Sequence, residues 1–410
     1  MDNSQLEPEV AESSASSTLS IHTPRGNVIT STSYAEKSRR PGQSRFPLLC
    51  NSSTDVSQAF RPVLKNASSI QHLSIHVTCT SQLREFLTSE ADFNNLESLS
   101  LSVQQVDDID GPITIFRNSP CLNRVIFDLQ GCPPSTSLIQ LPWSSVQEFE
   151  MTGAAMLPSD TFQTLLASCT NLRKASFWIE DPHCDGVPLS SSGASSPSAT
   201  PTTIPNLTHL SISFYGRRTK TATSLLTGFN LPSLRHFHFF SGFVTLPLLP
   251  CVVTHKLESL EVSGVSVPAL QFHELAHANP SLRSLTLDLR YFGSNDIVGI
   301  LGALAQGQPC LFSSMSSLAL WTRDVSPHIG DYLRMIRSRG QFSGKGFRFS
   351  LYLARRQHGS CCYFSNCTSP SQGNTRLDEV LALADACERT GGVDFYLKDV
   401  KPDEGIHRII

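Results

Sequence analysis

The feature that most constrains this chain is a short apolar pattern that recurs at nearly constant spacing. The pattern is Leu-x-x-Leu-x-apolar, and its clearest copies begin at Leu257 and Leu282. Ten runs of this kind occur, and their first residues, here called anchors, are Ile70, Leu96, Leu122, Val146, Leu172, Leu207, Leu234, Leu257, Leu282 and Met315. Seven of the nine gaps between successive anchors are 23 to 27 residues long. Spacing this regular predicts one structural unit repeated along the chain.

The residue pattern changes in character within each repeat. Inside the anchor runs, apolar and polar residues alternate with a period of two, which is typical of strands. Between anchors several segments have helical periodicity; in one, Asp160 and Gln163 resemble a capping box ahead of an apolar stripe that begins at Phe162. A strand that alternates with a helix in every unit predicts a parallel sheet with the helices on one face. We therefore predict an α/β solenoid with a concave sheet and convex helices.

The same patterns divide the chain into segments. Residues 1–54 are rich in Ser and Thr without sustained periodicity, which predicts a disordered N-terminal segment. The repeats are expected to occupy residues 55–400, with a flexible Ser-rich insertion at 186–204. Because the spacing loosens toward the C-terminus, residues 322–400 are expected to form irregular repeats that cap the array, followed by a tail at 401–410.

Charge and hydropathy limit the classes of partner. The formal net charge of −3 gives no reason to expect nucleic acid as the main partner. No apolar run approaches the ~18 residues of a membrane helix, so no membrane association is expected. The first residues also lack the basic and apolar regions of a secretory signal. We therefore expect a protein of the cytosol or nucleus.

Residues around the anchors carry a resemblance to a known family. Five repeat starts combine Cys, Pro or Asn just before the anchor with Arg or Thr just after it: SPCLNRV (119–125), ASCTNLRKA (167–175), IPNLTHLSI (204–212), LPSLRHFHF (231–239) and ANPSLRSLTL (278–287). With these starts the array resembles the ribonuclease-inhibitor-like leucine-rich repeats, and especially the repeat region of fungal F-box/leucine-rich-repeat proteins. The resemblance implies a horseshoe-shaped fold that recognises a protein for ubiquitination. The F-box that would dock a Skp-type adaptor is not detected in residues 1–60, which contain no Trp.

Function in such an array is expected on the concave face of the sheet. Residues that alternate with the buried strand side chains point to that face. Most of them are small or polar, and the larger aromatic, basic and histidine side chains stand out as contacts for a partner protein. The predicted partner-binding residues are Arg124, Trp178, His209, His236, His238, Phe240, Arg290 and Trp321.

One short motif points to catalysis instead. Residues 273–277 read HELAH, and on a helix the two histidines of H-E-x-x-H can bind one zinc ion while the glutamate activates its water. A third ligand is missing locally, because Pro280 and Arg283 stand where a metzincin has Gly and His. Aligning Leu172 with Leu282 also places both histidines outside the buried helix stripe. We therefore expect a non-catalytic interaction protein without metal or cofactor; a zinc metallopeptidase and a plain repeat scaffold are the alternatives.

Overall fold

The structure is a computed structural model of the chain, and it divides into two compact units. It describes residues 18–22, 60–61, 63–83, 89–105, 112–129, 139–152, 156–180, 201–215, 225–226, 228–241, 256–305, 312–342, 346–354, 377–390 and 393–400. The N-terminal unit is Met1–Ala155 and the C-terminal unit is Met156–Ile410. Both contain a parallel sheet, and helices accompany the strands of the C-terminal unit. The predicted α/β class is therefore confirmed.

Strands of the N-terminal unit pair in sequence order. They are β1 (Thr18–His22), β2 (His72–Cys79), β3 (Ser98–Gln105), β4 (Arg124–Leu129) and β5 (Glu148–Thr152). Strands β2 to β5 are parallel and in register, so that each buried residue lies beside its equivalent in the next repeat. The core of this unit consists of these equivalent apolar side chains.

Strand β1 differs from the expectation for its segment. It pairs antiparallel with β2 inside the stretch for which the sequence predicts disorder. The run TLSIH does alternate, with Leu19 and Ile21 as its apolar residues, but no anchor precedes it, so the repeat spacing that located the other strands gives no signal for this one. The remainder of residues 1–54 lies outside the described part of the chain.

Among its described residues, the C-terminal unit has a parallel arrangement of its own, with eight longer strands and three two-residue strands. In chain order they are β6 (Leu157–Pro158), β7 (Lys174–Glu180), β8 (Thr202–Thr203), β9 (His209–Tyr215), β10 (Phe229–Asn230), β11 (His236–Ser241), β12 (Ser259–Ser263), β13 (Ser284–Asp288), β14 (Ser317–Thr322), β15 (Phe347–Ala354) and β16 (Val393–Val400). The longer strands pair in the order β7, β9, β11, β12, β13, β14, β15, β16. Strand β6 pairs with β7, and β8 with β10.

Helices connect several of these strands. They are α1 (Ser159–Ser168), α2 (Ala269–Ala278), α3 (Ser294–Ala305), α4 (Ile329–Phe342) and α5 (Leu377–Thr390). Helix α1 packs on the buried face of the sheet, where the Phe162 ring lies 4.9 Å from that of Phe177 on β7. Successive helices from α2 to α5 contact one another in a row. Parallel strands need such crossover connections, which explains the strand and helix alternation.

The anchors predict the strands closely. Each of the ten anchors lies two residues before a strand, from Ile70 before β2 to Met315 before β14. Every anchor is buried, and so are the strand residues that alternate after it, such as Leu285 and Leu287 on β13. Each repeat therefore places the same three apolar positions in the core. The strands β15 and β16, in the region predicted to cap the array, are parallel and in register with β14.

One local prediction is corrected by the structure. Helix α1 begins at Ser159 after Pro158, so Asp160 lies in its first turn and is not the N-cap of a capping box. The Asp160 carboxylate instead accepts a hydrogen bond from the Thr161 N–H at 2.8 Å.

Other expectations fall partly or wholly outside the described residues. Of the insertion 186–204, the structure describes only residues 201–204, which include β8. The tail at 401–410 is not among the described residues. The predicted flexibility of the insertion and the assignment of the tail therefore stay predictions.

Gly264 has a backbone conformation and a close contact that both require glycine. It follows β12 with a φ of +72°, in the left-handed region that side chains disfavour. A Cβ atom at this position would overlap the backbone carbonyl of Ser241 and lie 3.3 Å from the Phe240 ring. Gly228 also has a positive φ, of +90°, but among the described residues no heavy atom beyond its chain neighbours lies within 4 Å of its added Cβ. Substitutions at Gly264 and Gly228 therefore distinguish the cost of backbone strain from the cost of steric overlap.

We predict that Gly264→Ala lowers the free energy of unfolding by about 3 kcal/mol, because strain and overlap act together. Gly228→Ala serves as the control and should cost about 1 kcal/mol from strain alone. Urea denaturation followed by circular dichroism measures both. Equal losses for the two variants would contradict the close approach of Gly264 to Ser241.

Candidate interaction surface

The face of the C-terminal sheet opposite the helices, here called the ladder face, carries the side chains that alternate with the core. Because the strands are parallel and in register, equivalent side chains form rows across the sheet. The first row is Lys174, His209, His236, Ser259, Ser284, Ser317 and Arg348. The second row is Ser176, Ser211, His238, Glu261, Thr286, Ala319 and Ser350. Small and polar residues dominate, so that larger side chains stand out.

Three aromatic rings meet at the ends of strands β7, β9 and β11. The ring centroids of Trp178 and Tyr215 are 5.6 Å apart in a stacked arrangement, and those of Tyr215 and Phe240 are 5.7 Å apart. All three side chains are half-buried. We call these three residues the aromatic patch. Aromatic contacts of this geometry contribute about 0.5–1.5 kcal/mol each beyond burial.

Tyr215 is the member of the aromatic patch that sequence reasoning missed. It continues the alternation of His209, Ser211 and Ser213 by one more step along β9. The signal was therefore present, but it required knowing that β9 extends as far as residue 215. Burial raises the pKa of the Tyr215 hydroxyl above its ordinary value, so this group remains a neutral hydrogen-bond donor.

The predicted histidines lie beside one another on β9 and β11. The rings of His209 and His236 are stacked with centroids 4.0 Å apart. His238 has a different environment, because its Nδ1 is hydrogen-bonded to Ser211 Oγ at 3.0 Å and its Nε2 lies 3.8 Å from the Glu261 carboxylate. Within the described ranges, no group of three His, Cys, Asp or Glu residues is arranged to hold a metal ion.

Glu261 is partly removed from water in the second row. Its side chain is 29% exposed, and burial raises the pKa of its carboxyl above the ordinary value. The neighbouring His238 is 13% exposed, so the two groups form a compact polar pair in the middle of the ladder face. Such a pair makes the centre of this face polar rather than apolar.

Arg290 lies just beyond β13 and forms a tight ion pair. Its guanidinium donates to both carboxylate oxygens of Asp288, over 2.7 Å from Nε and 2.6 Å from an amino nitrogen. Asp288 is completely buried, and its side chain also accepts from the Arg290 backbone N–H. Burial alone lowers the pKa of Arg290, but the hydrogen bonds and charge of Asp288 outweigh it and raise that pKa. Arg290 therefore neutralises a buried carboxylate.

Trp321 differs from the accessible side chain that the sequence predicts. It is only 4% exposed, because the Tyr352 ring stacks on it with centroids 4.5 Å apart. The Arg290 guanidinium also lies 5.5 Å from the centre of the Trp321 ring. These contacts join Asp288, Arg290, Trp321 and Tyr352 into one packed cluster. The cluster stabilises the fold here, whereas the aromatic patch offers the more accessible rings.

Arg124, the predicted contact residue of the N-terminal unit, lies at the start of β4. Its guanidinium is 3.7 Å from the Glu148 carboxylate on β5, and the two side chains are 49% and 40% exposed. A pair this exposed contributes about 0–1 kcal/mol to stability. Arg124 is thus an exposed member of its own sheet face.

The HELAH segment lies on helix α2. Phe272, Leu275 and Ala276 are buried against the core, while His273 is half-buried and His277 is exposed. Glu274 is exposed as well. The motif therefore faces away from the packed side of α2, as the alignment of the repeats predicts, and no third ligand accompanies it among the described residues.

Comparisons with known proteins give no family assignment. No protein-family model and no curated protein matches the chain. None of the helices among the described residues combines the length and the hydrophobicity that a membrane span requires.

The pair of Asp288 and Arg290 should respond asymmetrically to substitution. Arg290→Ala leaves a fully buried carboxylate without its counter-charge, so we predict a loss of about 3 kcal/mol in the free energy of unfolding. Asp288→Asn removes the carboxylate charge, and Arg290, whose side chain is 20% exposed, can reach water; we predict a loss of about 1 kcal/mol. Chemical denaturation measures both. Equal losses in the free energy of unfolding for Arg290→Ala and Asp288→Asn would contradict an ion pair in which only the carboxylate is fully buried.

Proposed function

We propose that this chain is a leucine-rich-repeat solenoid that binds another protein through its ladder face and has no catalytic role. The proposal is supported by ten anchors that each precede a parallel, in-register strand. Repeats that stack in this way bury one face of every unit and leave the other face for binding. The finer assignment to ribonuclease-inhibitor-like repeats, with a horseshoe shape, is part of the proposal.

The aromatic patch is the observation that best supports protein binding. Trp and Tyr dominate the energetics of protein interfaces because they bury a large area with few rotatable bonds. In the C-terminal unit, Trp178, Tyr215 and Phe240 contact one another on a face where neighbouring positions hold serine. Single apolar residues scattered over a protein surface need no functional explanation, whereas a contiguous group of rings often marks a binding site. The aromatic patch therefore supports a role in binding a partner.

The partner-binding role is proposed to serve ubiquitination. The support is the resemblance of the repeat starts to fungal F-box/leucine-rich-repeat proteins, in which the repeats would recognise the protein to be modified. The proposed site for that protein is the ladder face, and the proposed second partner is a Skp-type adaptor. A plain repeat scaffold without a ubiquitin link is the alternative, and binding to the adaptor distinguishes the two.

We predict that the double variant Trp178→Ala/Phe240→Ala captures its partner proteins from a cell lysate about tenfold less efficiently than the wild type, because interface aromatics of this kind contribute about 2 kcal/mol or more. The matched control is Leu270→Ala/Val298→Ala, which removes exposed apolar side chains from α2 and α3. Quantitative mass spectrometry of the captured proteins is the measurement. Unchanged capture by a folded aromatic double variant would contradict the proposed surface.

We predict that the 410-residue chain binds a purified Skp-type adaptor in a pulldown. The association should survive the aromatic double variant, because the adaptor is expected to contact a different surface from the ladder face. A folded chain that fails to bind the adaptor at micromolar concentrations would contradict the ubiquitin link. The scaffold alternative would then be the better account.

A further inference from the structure

A strip of positive charge follows one edge of the ladder face. The strip comprises the first residue of strands β7, β9, β11, β12 and β13 together with the residue before each strand, and we call it the basic rim. Its members are Arg173, Lys174, Thr208, His209, Arg235, His236, Glu258, Ser259, Arg283 and Ser284. Four of these ten residues are Lys or Arg and are exposed, whereas one is acidic. The chain as a whole has 32 Lys and Arg against 35 Asp and Glu, so the basic rim concentrates one sign of charge.

Backbone hydrogen bonds fix the spacing of the basic rim. The N–H of the residue before each strand donates to the equivalent carbonyl one repeat earlier: Thr208 to Arg173 at 2.9 Å, Arg235 to Thr208 at 3.0 Å, Glu258 to Arg235 at 2.8 Å, and Arg283 to Glu258 at 2.8 Å. Neighbouring backbones in such a ladder are about 4.8 Å apart. The side chains of the basic rim therefore follow one another at regular intervals across five strands.

The positive charge of Arg235 in the basic rim is only weakly neutralised. The single acidic member, Glu258, accepts a hydrogen bond from the Arg235 guanidinium at 3.0 Å. The Arg235 side chain is 56% exposed, and a surface pair of this kind is worth about 0–1 kcal/mol. A carboxylate from a partner can therefore share or replace Glu258 at little cost. Arg283 and Arg173 add further exposed positive charge on either side.

The basic rim and the aromatic patch lie at opposite ends of the same strands. On β7, Lys174 belongs to the rim and Trp178 to the patch, four residues further along. Four extended residues span roughly 13 Å at about 3.3 Å each. Between the two sites the second row has the small residues Ser176 and Ser211, with His238 beside them. A partner that contacts both sites needs acidic and apolar groups separated by this distance.

An acidic peptide fits this surface better than a nucleic acid does. Glu258 lies within the basic rim and Glu261 in the second row, where both would repel a phosphate backbone. The cations of the basic rim are also dispersed over several strands, whereas the recognition of phosphate groups in peptides relies on clustered arginines. Carboxylates along an extended chain, with freedom to avoid the two glutamates, match a dispersed row of cations.

We infer that the ladder face binds an extended, acidic peptide segment of its partner, with carboxylates on the basic rim and an apolar side chain about four residues away on the aromatic patch. This inference rests on the proposed interaction function and specifies the chemistry of the partner. Charge on the rim steers the segment, and the aromatic rings hold its apolar residue.

The probe for this inference is a fluorescein-labelled peptide that has a Trp-Leu pair separated by four residues from a run of glutamates. Fluorescence anisotropy measures its affinity for the 410-residue chain. A second peptide with glutamine in place of every glutamate isolates the contribution of charge. A third with serine in place of the Trp-Leu pair isolates the apolar contact. We expect the first peptide to bind roughly tenfold more tightly than either of the others.

The decisive variant is Lys174→Ser/Arg235→Ser/Arg283→Ser, which removes three cations from the basic rim. Its control, Arg334→Ser/Arg337→Ser/Arg389→Ser, makes the same change in net charge on α4 and α5, where these arginines are exposed. We expect the rim variant to lose about tenfold in affinity for the acidic peptide and the control variant to retain it. Affinity of the wild type should also fall as salt is raised, because exposed charges are screened.

Three results would overturn the inference. The first is that the glutamate and glutamine peptides bind equally well, or that neither binds. The second is an equal loss of affinity for the acidic peptide in the rim and control variants, which would indicate that the net charge of the protein, and not a specific site, determines binding. The third is tighter binding of a single-stranded oligothymidylate than of the acidic peptide. The aromatic double variant separates this inference from the proposed function: if it still loses partner capture while the acidic peptide does not bind, the interaction role stands and the partner chemistry is wrong.

Discussion

The arrangement of both sheets depends on burying one apolar side chain at every second strand position. Leu260, Leu285 and Leu318 show this on β12, β13 and β14, where they are in register and at most 1% exposed. Burying a leucine in this way contributes about 1.5–3 kcal/mol, and the contribution recurs in every repeat. Because side chains on a strand alternate between two faces, committing one set to the core assigns the next set to the ladder face. The aromatic patch and the first row of the ladder face therefore follow from the same constraint as the core.

Much of the fold was predictable because its signal is local and repeated. Anchor spacing located ten strands, and the apolar stripe beginning at Phe162 located α1. What the sequence did not predict depends on shorter or weaker signals. Strand β1 has no anchor before it and lies outside the repeat spacing, and β6, β8 and β10 are two residues each, too short for periodicity to identify. The start of α1 was misplaced because Pro158, a residue without a capping side chain, precedes its first turn.

Less of the candidate site was predictable, since its properties come from neighbours in space. Alternation placed Trp178 and Phe240 on the correct strand positions, but it gave no indication that Tyr215 joins them. It also suggested an accessible Trp321, whose burial depends on Tyr352 on the following strand. The basic rim was not visible either, because Arg173, Arg235 and Arg283 are far apart in sequence and are brought into one row by the register. The register of the strands decides which side chains become neighbours on the sheet surface.

The central claim is that adjacent residues on a strand alternate between the buried core and the solvent-accessible ladder face. Hydroxyl-radical footprinting with mass spectrometry tests this claim most directly. Phe239 and Phe240 form a controlled pair, since they are chemically identical neighbours on β11 and only Phe239 is fully buried, at 1% exposure. The account predicts that Phe240 is oxidised several-fold faster than Phe239, and Trp178 faster than Phe177. Equal oxidation of Phe239 and Phe240, or faster oxidation of Phe239, would contradict it.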